Sequence, residues 1–547
     1  MKKLIALLLC VMVVFGLLSG CDTGKKPANK GEKGDKTITI GIPASTLVMD
    51  YKENALTKWV EEQTGYELEF QKFASAAADY GSQLSTMASA NMELPDILTG
   101  FQLGDEVYNQ YGDDEYFIDL APYFADKEGK SKVWWDRFAE LDQDYQDTIL
   151  RRITNDDGAI YAFPMIQTSL IDIQDYTPWI NTEWLDAVGK QKPTNIDELY
   201  DVLVAFKNGD PNGNGKPDEI PLCGATSLCG DAIAWIINMF CYMNEDIYFN
   251  LDENGKVYLP EMTDEYREAL KFINKLIKEN LLPAATLNTT QNEIKTLVTP
   301  ADGGAAQVGI VVCHPTLGFT QDHPGILAYE ALPLWGNAVY TENQNSRTTY
   351  ITSDCADPDA AWEVLMCLSS LEGSIRMRYG DQGTDWDWAD EGAISFMGIP
   401  AQYKLHHDVW STQGTDNWRS VCMGILINAE QEGAQVTGEI SETTQHKYNM
   451  FLEMKASYEK QIAEYNPKNV CPLLVRNSEE KAATDQLRSD CISYMSTSRS
   501  KFITGAQDFD INNDADWQAY LNKLKELKVD TWIAVAQGIY ERDYVNK

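Results

Sequence analysis

Between Thr37 and Ile42 the chain reads Thr-Ile-Thr-Ile-Gly-Ile, a strict alternation of polar and apolar positions that predicts a first, half-buried strand. A different period follows. Residues 56–64, LTKWVEEQT, space their apolar side chains as one face of a helix and run into Gly65, which stops it. Pro95-Asp96-Ile97-Leu98 predicts a short strand ending in a glycine-containing loop. Ile196, Leu199, Leu203 and Phe206 share one face of a helix over 195–207, with Thr194 as its cap. Thr263 caps another, whose stripe is Tyr266, Leu270, Ile273 and Ile277. Asp357 followed by Pro358 marks a further start, an N-cap with proline in the first helical position. From about Ala429 onward helical patterns dominate, closing with 514–528 and a last helix ending near Tyr544. Strands alternating with helices predict an α/β fold with largely parallel sheets, and no internal repeat interrupts the pattern.

The apolar run at the start is of another kind. Lys2 and Lys3 precede a run from Leu4 to Leu18, which at 15 residues is short for a bilayer span of about 20. Small residues then lead to Cys21. This layout predicts a secretory signal over 1–20. Leu18-Ser19-Gly20-Cys21 resembles the bacterial lipobox, which implies cleavage before Cys21 and two acyl chains on it, enough for stable anchoring. Residues 21–36 then form a flexible tether, in which lysine and glycine dominate and nothing large and apolar can pack.

With 547 residues and 44% apolar positions, the chain is too long for a single core, so at least two lobes are expected. Its net charge of −38 becomes −40 once Lys2 and Lys3 leave with the signal. Such a surface repels phosphate backbones, which argues against nucleic acid and favours a neutral ligand over a polyanion. Eleven cysteines become nine without Cys10 and Cys21, an odd number with no CxxC spacing. Cys223 and Cys229 bracket a short loop and could bridge, but buried free thiols are the reading favoured. His406 and His407 read as surface residues, since neighbours in sequence rarely share a metal face.

Residues 210–221, DPNGNGKPDEIP, carry the clearest chemistry. Oxygen donors stand at alternate positions, Asp210, Asn212 and Asn214, and Gly215 follows where a calcium loop turns sharply. Lys216 would add a backbone carbonyl, and Asp218 stands at the ninth position. The twelfth is Pro221, so the closing glutamate of a sensor loop is missing, and Ile220-Pro221-Leu222 reads as the start of a strand. An ion here would be a structural clip, not a switch. The alternative is a turn rich in Asp, Asn, Gly and Pro that binds nothing.

Residues 177–221 resemble the large sugar-importing solute-binding lipoproteins of bacterial ABC transporters, in the calcium-containing branch that includes alginate-oligosaccharide-binding proteins. GAIYAFP (158–164), TTYITSDCADPDAAWEVLMCLSS (348–370), IRMRYGDQGTDWDW (375–388) and the closing FITGAQDFD are similar to family stretches in the same order. The resemblance implies a two-lobe periplasmic-binding-protein-like fold with a hinge cleft, three crossings near 161–165, 345–350 and 390–400, and extra C-terminal helices. One lobe would hold 37–162 and 348–395, the other 163–347 and 396–547. It also implies closure of the calcium site by adjacent acids, matching Asp218 and Glu219, and an aromatic cluster facing the cleft.

Sugars present flat C–H faces and polar edges, so their sites combine aromatic platforms with bidentate polar side chains. Asp385-Trp386-Asp387-Trp388 offers both, with the two tryptophans on one side of an extended segment. Trp386 and Trp388 are the expected platforms and Trp335 a weaker one; Asp385, Gln167, Asp175 and Gln102 are the expected hydrogen-bonding groups. Arg378 is expected to pair with an acid. The reading is a monomeric, lipid-anchored binding protein on the outer face of the cell membrane. It would capture an oligosaccharide and pass it to the transmembrane subunits of an ABC permease, without enzymatic activity. A lipoprotein that binds peptide or protein is the alternative. A glycoside hydrolase is the weaker one, because with 83 acids some carboxylate pair always lies at a suitable separation.

Overall fold

The computed structural model describes residues 36–546 apart from 104, 156, 169–176, 226–229, 245–246, 302, 315–317, 321, 333–345, 408, 410–412, 420–423, 427–431, 438–439 and 465–469. The signal, the tether and Cys21, and the candidates Asp175 and Trp335, lie outside the described residues. The strands are β1 (Thr37–Pro43), β2 (Glu67–Phe73), β3 (Ile97–Thr99), β4 (Phe163–Gln167), β5 (Pro178–Asn181), β6 (Ile220–Gly224) and β7 (Asn250–Leu251). The remainder are β8 (Val257–Tyr258), β9 (Val308–Val312), β10 (Tyr329–Ala331), β11 (Ser346–Ile351), β12 (Trp386–Trp388), β13 (Tyr403–Leu405) and β14 (Ile425–Leu426).

Two sheets organise the chain. The larger has the order β14-β4-β11-β3-β1-β2, and the smaller β10-β5-β9-β6. In the larger sheet β1 runs parallel to β2 and β3, and β14 parallel to β4, while β11 lies antiparallel between β3 and β4. Five strands therefore point one way and β11 the other. The smaller sheet repeats this: β6 runs parallel to β9, and β5 is antiparallel to both β9 and β10. The largely parallel expectation thus gains one reversed strand per sheet. Pairing is non-local, and no local period encodes its direction.

Both faces of each sheet are covered, as parallel sheets require. Ile38, Ile40 and Ile42 pack with Leu56, Val60, Phe163 and Trp362 on one face of the larger sheet, and Phe73, Tyr80, Leu98 and Tyr350 lie on the other. Gly41 is needed where β1 meets β3, because a Cβ there would sit 2.6 Å from the Leu98 side chain. On the smaller sheet every residue of β9 is buried. Helix Ile196–Asn208 covers one face of it with Leu199, Val202, Leu203 and Phe206. The closing helices Ser478–Thr504, Asp514–Glu526 and Val529–Tyr540 join the same cluster through Phe502, Trp517 and Trp532.

Local signals place helix ends well. Ala55–Thr64 ends at Gly65 with φ 74°, Thr263 caps Asp264–Lys278 through the Tyr266 amide, and Asp357 caps Pro358–Ser369. Thr194 is not the cap expected. Asn195 is, accepting from Glu198 N at 2.9 Å, while Thr194 donates through its hydroxyl to the Glu198 carboxylate at 2.8 Å. Cys223 and the six other described cysteines form no disulfide with one another, and Cys229 lies outside the described residues.

The sheets also bear on the expected crossings. The boundary expected between 162 and 163 falls at the start of β4, which belongs to the larger sheet, and β11 reaches the same sheet from the second expected crossing. Residues 390–400 do not carry the chain directly across. They lie in the loop of an antiparallel ribbon, β12–β13, after which the chain returns to the larger sheet as β14. Helix Glu442–Glu464, further along, sets Met450 and Met454 against the smaller sheet. The ribbon nonetheless touches both halves. Tyr379, from helix Leu371–Tyr379, stacks on Tyr403 at its base, and Phe396 in its loop stacks on Tyr448 of helix Glu442–Glu464 at 4.5 Å.

Candidate functional site

The acidic loop joins helix Ile196–Asn208 to β6. Asp210 (φ 46°), Gly213 (φ 66°) and Gly215 (φ 73°) take left-handed backbone, which coils the loop around its own side chains. Asp210 accepts from Gly215 N at 3.1 Å, Asn212 from Asn214 N at 3.1 Å and Asn214 from Lys216 N at 2.8 Å. Asp218 is held by the Asn214 amide at 3.0 Å and by Gln307 at 3.2 Å, and these bonds keep its carboxyl below the usual range. Glu219 differs. Its Oε1 is buried without a hydrogen-bond partner, and burial, reinforced by the Asp210 and Asp218 charges, pushes its carboxyl up. Among the described residues no three His, Cys, Asp or Glu side chains converge into a metal group as they stand. A cation here would need the Asn and backbone oxygens as well, which suits a hard ion.

The aromatic ribbon corrects two expectations. Trp386 is 0% exposed, packed with Ile375 and Tyr403, and its indole donates to Gly380 O at 2.9 Å, so it presents no open face. Asp385 is also 0% exposed, accepts from Asp381 N at 2.6 Å, and therefore serves the ribbon and not a ligand. Trp388 is the exposed one of the two. It is 38% exposed and stands edge-on to Trp386, ring centres 5.0 Å apart. The alternation placed both rings on one side, but not whether that side is covered. The histidines are less ordinary than expected: His406 Nε2 lies 3.1 Å from Asp387 and His407 Nε2 lies 2.7 Å from Asp385.

Gln102 and Gln167 are brought to one edge. Gln102 follows β3 and Gln167 is the last residue of β4; the two strands run the same way in the larger sheet, and open α/β sheets bind ligands outside the carboxyl ends. Gln102 is exposed and Gln167 half-buried. Arg347, at the start of β11, pairs with Pro164 near the amino end of β4, its guanidinium 4.2 Å over the Tyr108 ring. Sequence reasoning missed Arg347, although its place at the second expected crossing was a signal for it.

No protein-family model matches the chain. The fructooligosaccharide ABC transporter substrate-binding protein FusA of Streptococcus pneumoniae is 22% identical over 418 residues, 72% of each chain. The chain is a homologue of ABC-transporter sugar-binding proteins. The lipoprotein LipO of Bacillus subtilis is 26% identical over 287 residues, 51% of each. Among solved structures, an extracellular solute-binding protein of Bifidobacterium longum subsp. infantis has a TM-score of 0.73 at 21% identity, covering 94% of this chain and 99% of its own. An EF-hand mutant of FusA in complex with fructo-nystose has a TM-score of 0.70 at 19% identity, over 93% and 100% of the two chains. The alginate-binding protein AlgQ2, solved without calcium ion, has 0.62 at 18%, over 92% and 98%. The fold is thus that of two-domain solute-binding proteins. Of the expected sugar-binding residues, Trp388 and Gln102 are exposed and Gln167 is half-buried.

Proposed function

We propose that this chain is the extracellular binding component of an ABC importer that captures an oligosaccharide, tethered to the membrane through Cys21. The match to FusA over 72% of both chains, within a fold shared across nearly the whole length, carries the reading. Trp388 supplies an aromatic face, while Gln102, Gln167 and Arg347 supply polar groups for sugar hydroxyls. Closure of the two lobes then traps the ligand without chemistry on it. No described helix is long and apolar enough to cross a membrane.

The acidic loop fits calcium. Glu219 Oε1 is a buried oxygen without a partner, and Asp210, Asp218 and Glu219 crowd negative charge that a divalent ion relieves. Asp210, Asn212, Asn214, the Lys216 carbonyl, Asp218 and Glu219 would hold it. Bound calcium supplies charge neutralisation and fixes the end of helix Ile196–Asn208 against β6, which begins beside Gln307. A thermal-shift series of the purified protein reads both sites, since anything that binds only the folded state raises its midpoint. One glycan class and calcium should each raise it independently. Indifference to every glycan would end the sugar reading, and indifference to chelator the calcium reading.

A further inference from the structure

We propose that the β12–β13 ribbon is pinned at both ends, with Phe396, Tyr448, Gln435 and the Glu432–Lys455 pair as positioning residues that fix Trp388 between the two halves of the molecule; this rests on Trp388 facing the sugar. The near end is tied to the larger sheet. Helix Leu371–Tyr379 packs Ile375 on Trp386 and stacks Tyr379 on Tyr403, ring centres 4.5 Å apart. The same helix reaches β14, where the Ile425 amide donates to Ser374 Oγ at 3.2 Å. The far end is tied to the smaller sheet. Beyond Trp388 the two arms continue as a hairpin, Ala401 N donating to Ala393 O at 2.9 Å and Ser395 N to Ile399 O at 2.8 Å, and Gly398 (φ 77°) makes the turn. Phe396 at that turn stacks on Tyr448 at 4.5 Å. Helix Glu442–Glu464, which carries Tyr448, is seated on the smaller sheet by Met450, Met454 and His446, whose Nε2 lies 2.7 Å from Tyr329 O of β10.

A further tie runs along the flank. Residues 433–435 lie across the ribbon, Gly433 O accepting from Gln402 N at 2.8 Å and Gln435 N donating to Tyr403 O at 2.6 Å. The Gln435 side chain brackets Asp390, two residues past Trp388. It accepts from the Asp390 amide at 2.7 Å and donates to the Asp390 carboxylate at 2.8 Å. Immediately before this stretch Glu432, its side chain 1% exposed, meets Lys455 of helix Glu442–Glu464 at 2.7 Å. Separating a buried carboxylate from its cation is costly, so this pair keeps the flank on the helix.

Trp388 closes β12, opposite Tyr403, and so stands between the two sets of ties. A ring on a loose hairpin has to be ordered when a sugar stacks on it; on a hairpin pinned at both ends it is already in place, which removes that cost from binding. Because the pins belong to different sheets, they also couple the ring's position to the placement of one half against the other. The side-chain ties at the far end and flank leave Trp386 alone, since its burial comes from the near end. Freeing them should therefore move Trp388 and not Trp386.

The test uses the whole protein labelled with 5-fluorotryptophan and fluorine NMR, first without sugar, with the Trp386 and Trp388 resonances assigned by replacing each in turn with phenylalanine. Phe396→Ala/Gln435→Ala trims two half-buried side chains and removes both the tip stack and the flank bracket. The Trp388 resonance should then shift or broaden while that of Trp386 stays, and Phe396→Tyr, which keeps a ring at the tip, should leave both in place. Tyr448→Ala removes the stack from its other side, should act in the same direction, and decides the matter if the double variant fails to fold. A Trp388 resonance that does not move, or a Trp386 resonance that moves as much, would overturn the proposal. Dissociation constants are then measured for the glycan that the thermal-shift series selects. The double variant should bind it about threefold to tenfold more weakly, the scale of ordering one side chain on binding, and Phe396→Tyr should not. Unchanged affinity in the double variant would overturn the positioning role. Absence of glycan binding by the unaltered protein would instead overturn the platform on which the proposal rests, and the sugar-free spectra would still decide whether the ribbon is pinned.

Discussion

At the scale of single residues, the two tryptophans two positions apart have opposite roles. Trp386→Ala removes a fully buried ring and its bond to Gly380, and should cost about 3–5 kcal/mol in denaturant unfolding. Trp388→Ala should leave stability within about 1 kcal/mol, as surface substitutions do, and weaken glycan binding at least tenfold by calorimetry. If Trp388→Ala bound as tightly as the unaltered protein, Trp388 would be an incidental exposed ring. The sequence announced the pair and its shared side, yet burial depends on helix Leu371–Tyr379 folding over one ring only. Glu219 offers a second residue-scale prediction. Its carboxyl is pushed up by burial and by neighbouring acids, so in chelator it stabilises the folded state below the ordinary carboxylate range, and this is lost as pH rises through its folded value. Stability in chelator should therefore gain on acidification from neutral pH by an amount that saturating calcium or Glu219→Gln abolishes.

Among elements, what is local was legible. Asp357-Pro358, Thr263 and Gly65 each act within one turn of chain, and the structure uses all three as their types suggest. The misjudged cap at 194 was legible as well, because Asn195-x-x-Glu198 has the spacing of an N-cap and its third helical residue. Asn195→Ala should cost about 1 kcal/mol and Thr194→Ala clearly less, a ranking that paired urea titrations decide. Strand direction was not legible. Nothing within Ser346–Ile351 says that it lies antiparallel between β3 and β4, since its partners are over 180 and over 240 positions away in the chain. The acidic loop shows the mixed case: its donors alternate visibly in sequence, but the unpartnered oxygen of Glu219 exists only once the loop packs.

For the whole molecule, five of the seven described cysteines are buried and behave as core. Burial pushes the Cys223 thiol up to about 12, and Cys313 and Cys491 are 0% exposed. Thiol reagents should label these cysteines in the native protein only as fast as it unfolds, and mass-resolved labelling at neutral pH checks this. The antiparallel position of β11 has a further consequence, for the order in which the chain can mature. Strands β1 to β4 emerge first, yet β3 and β4 are separated by a gap that only β11 fills, and the sheet's outer edge awaits β14. The amino-terminal third of a growing or translocating chain therefore carries unpaired, apolar strand edges until residue 351 has followed it. During that interval it depends on whatever escorts the emerging polypeptide to keep those edges from finding one another.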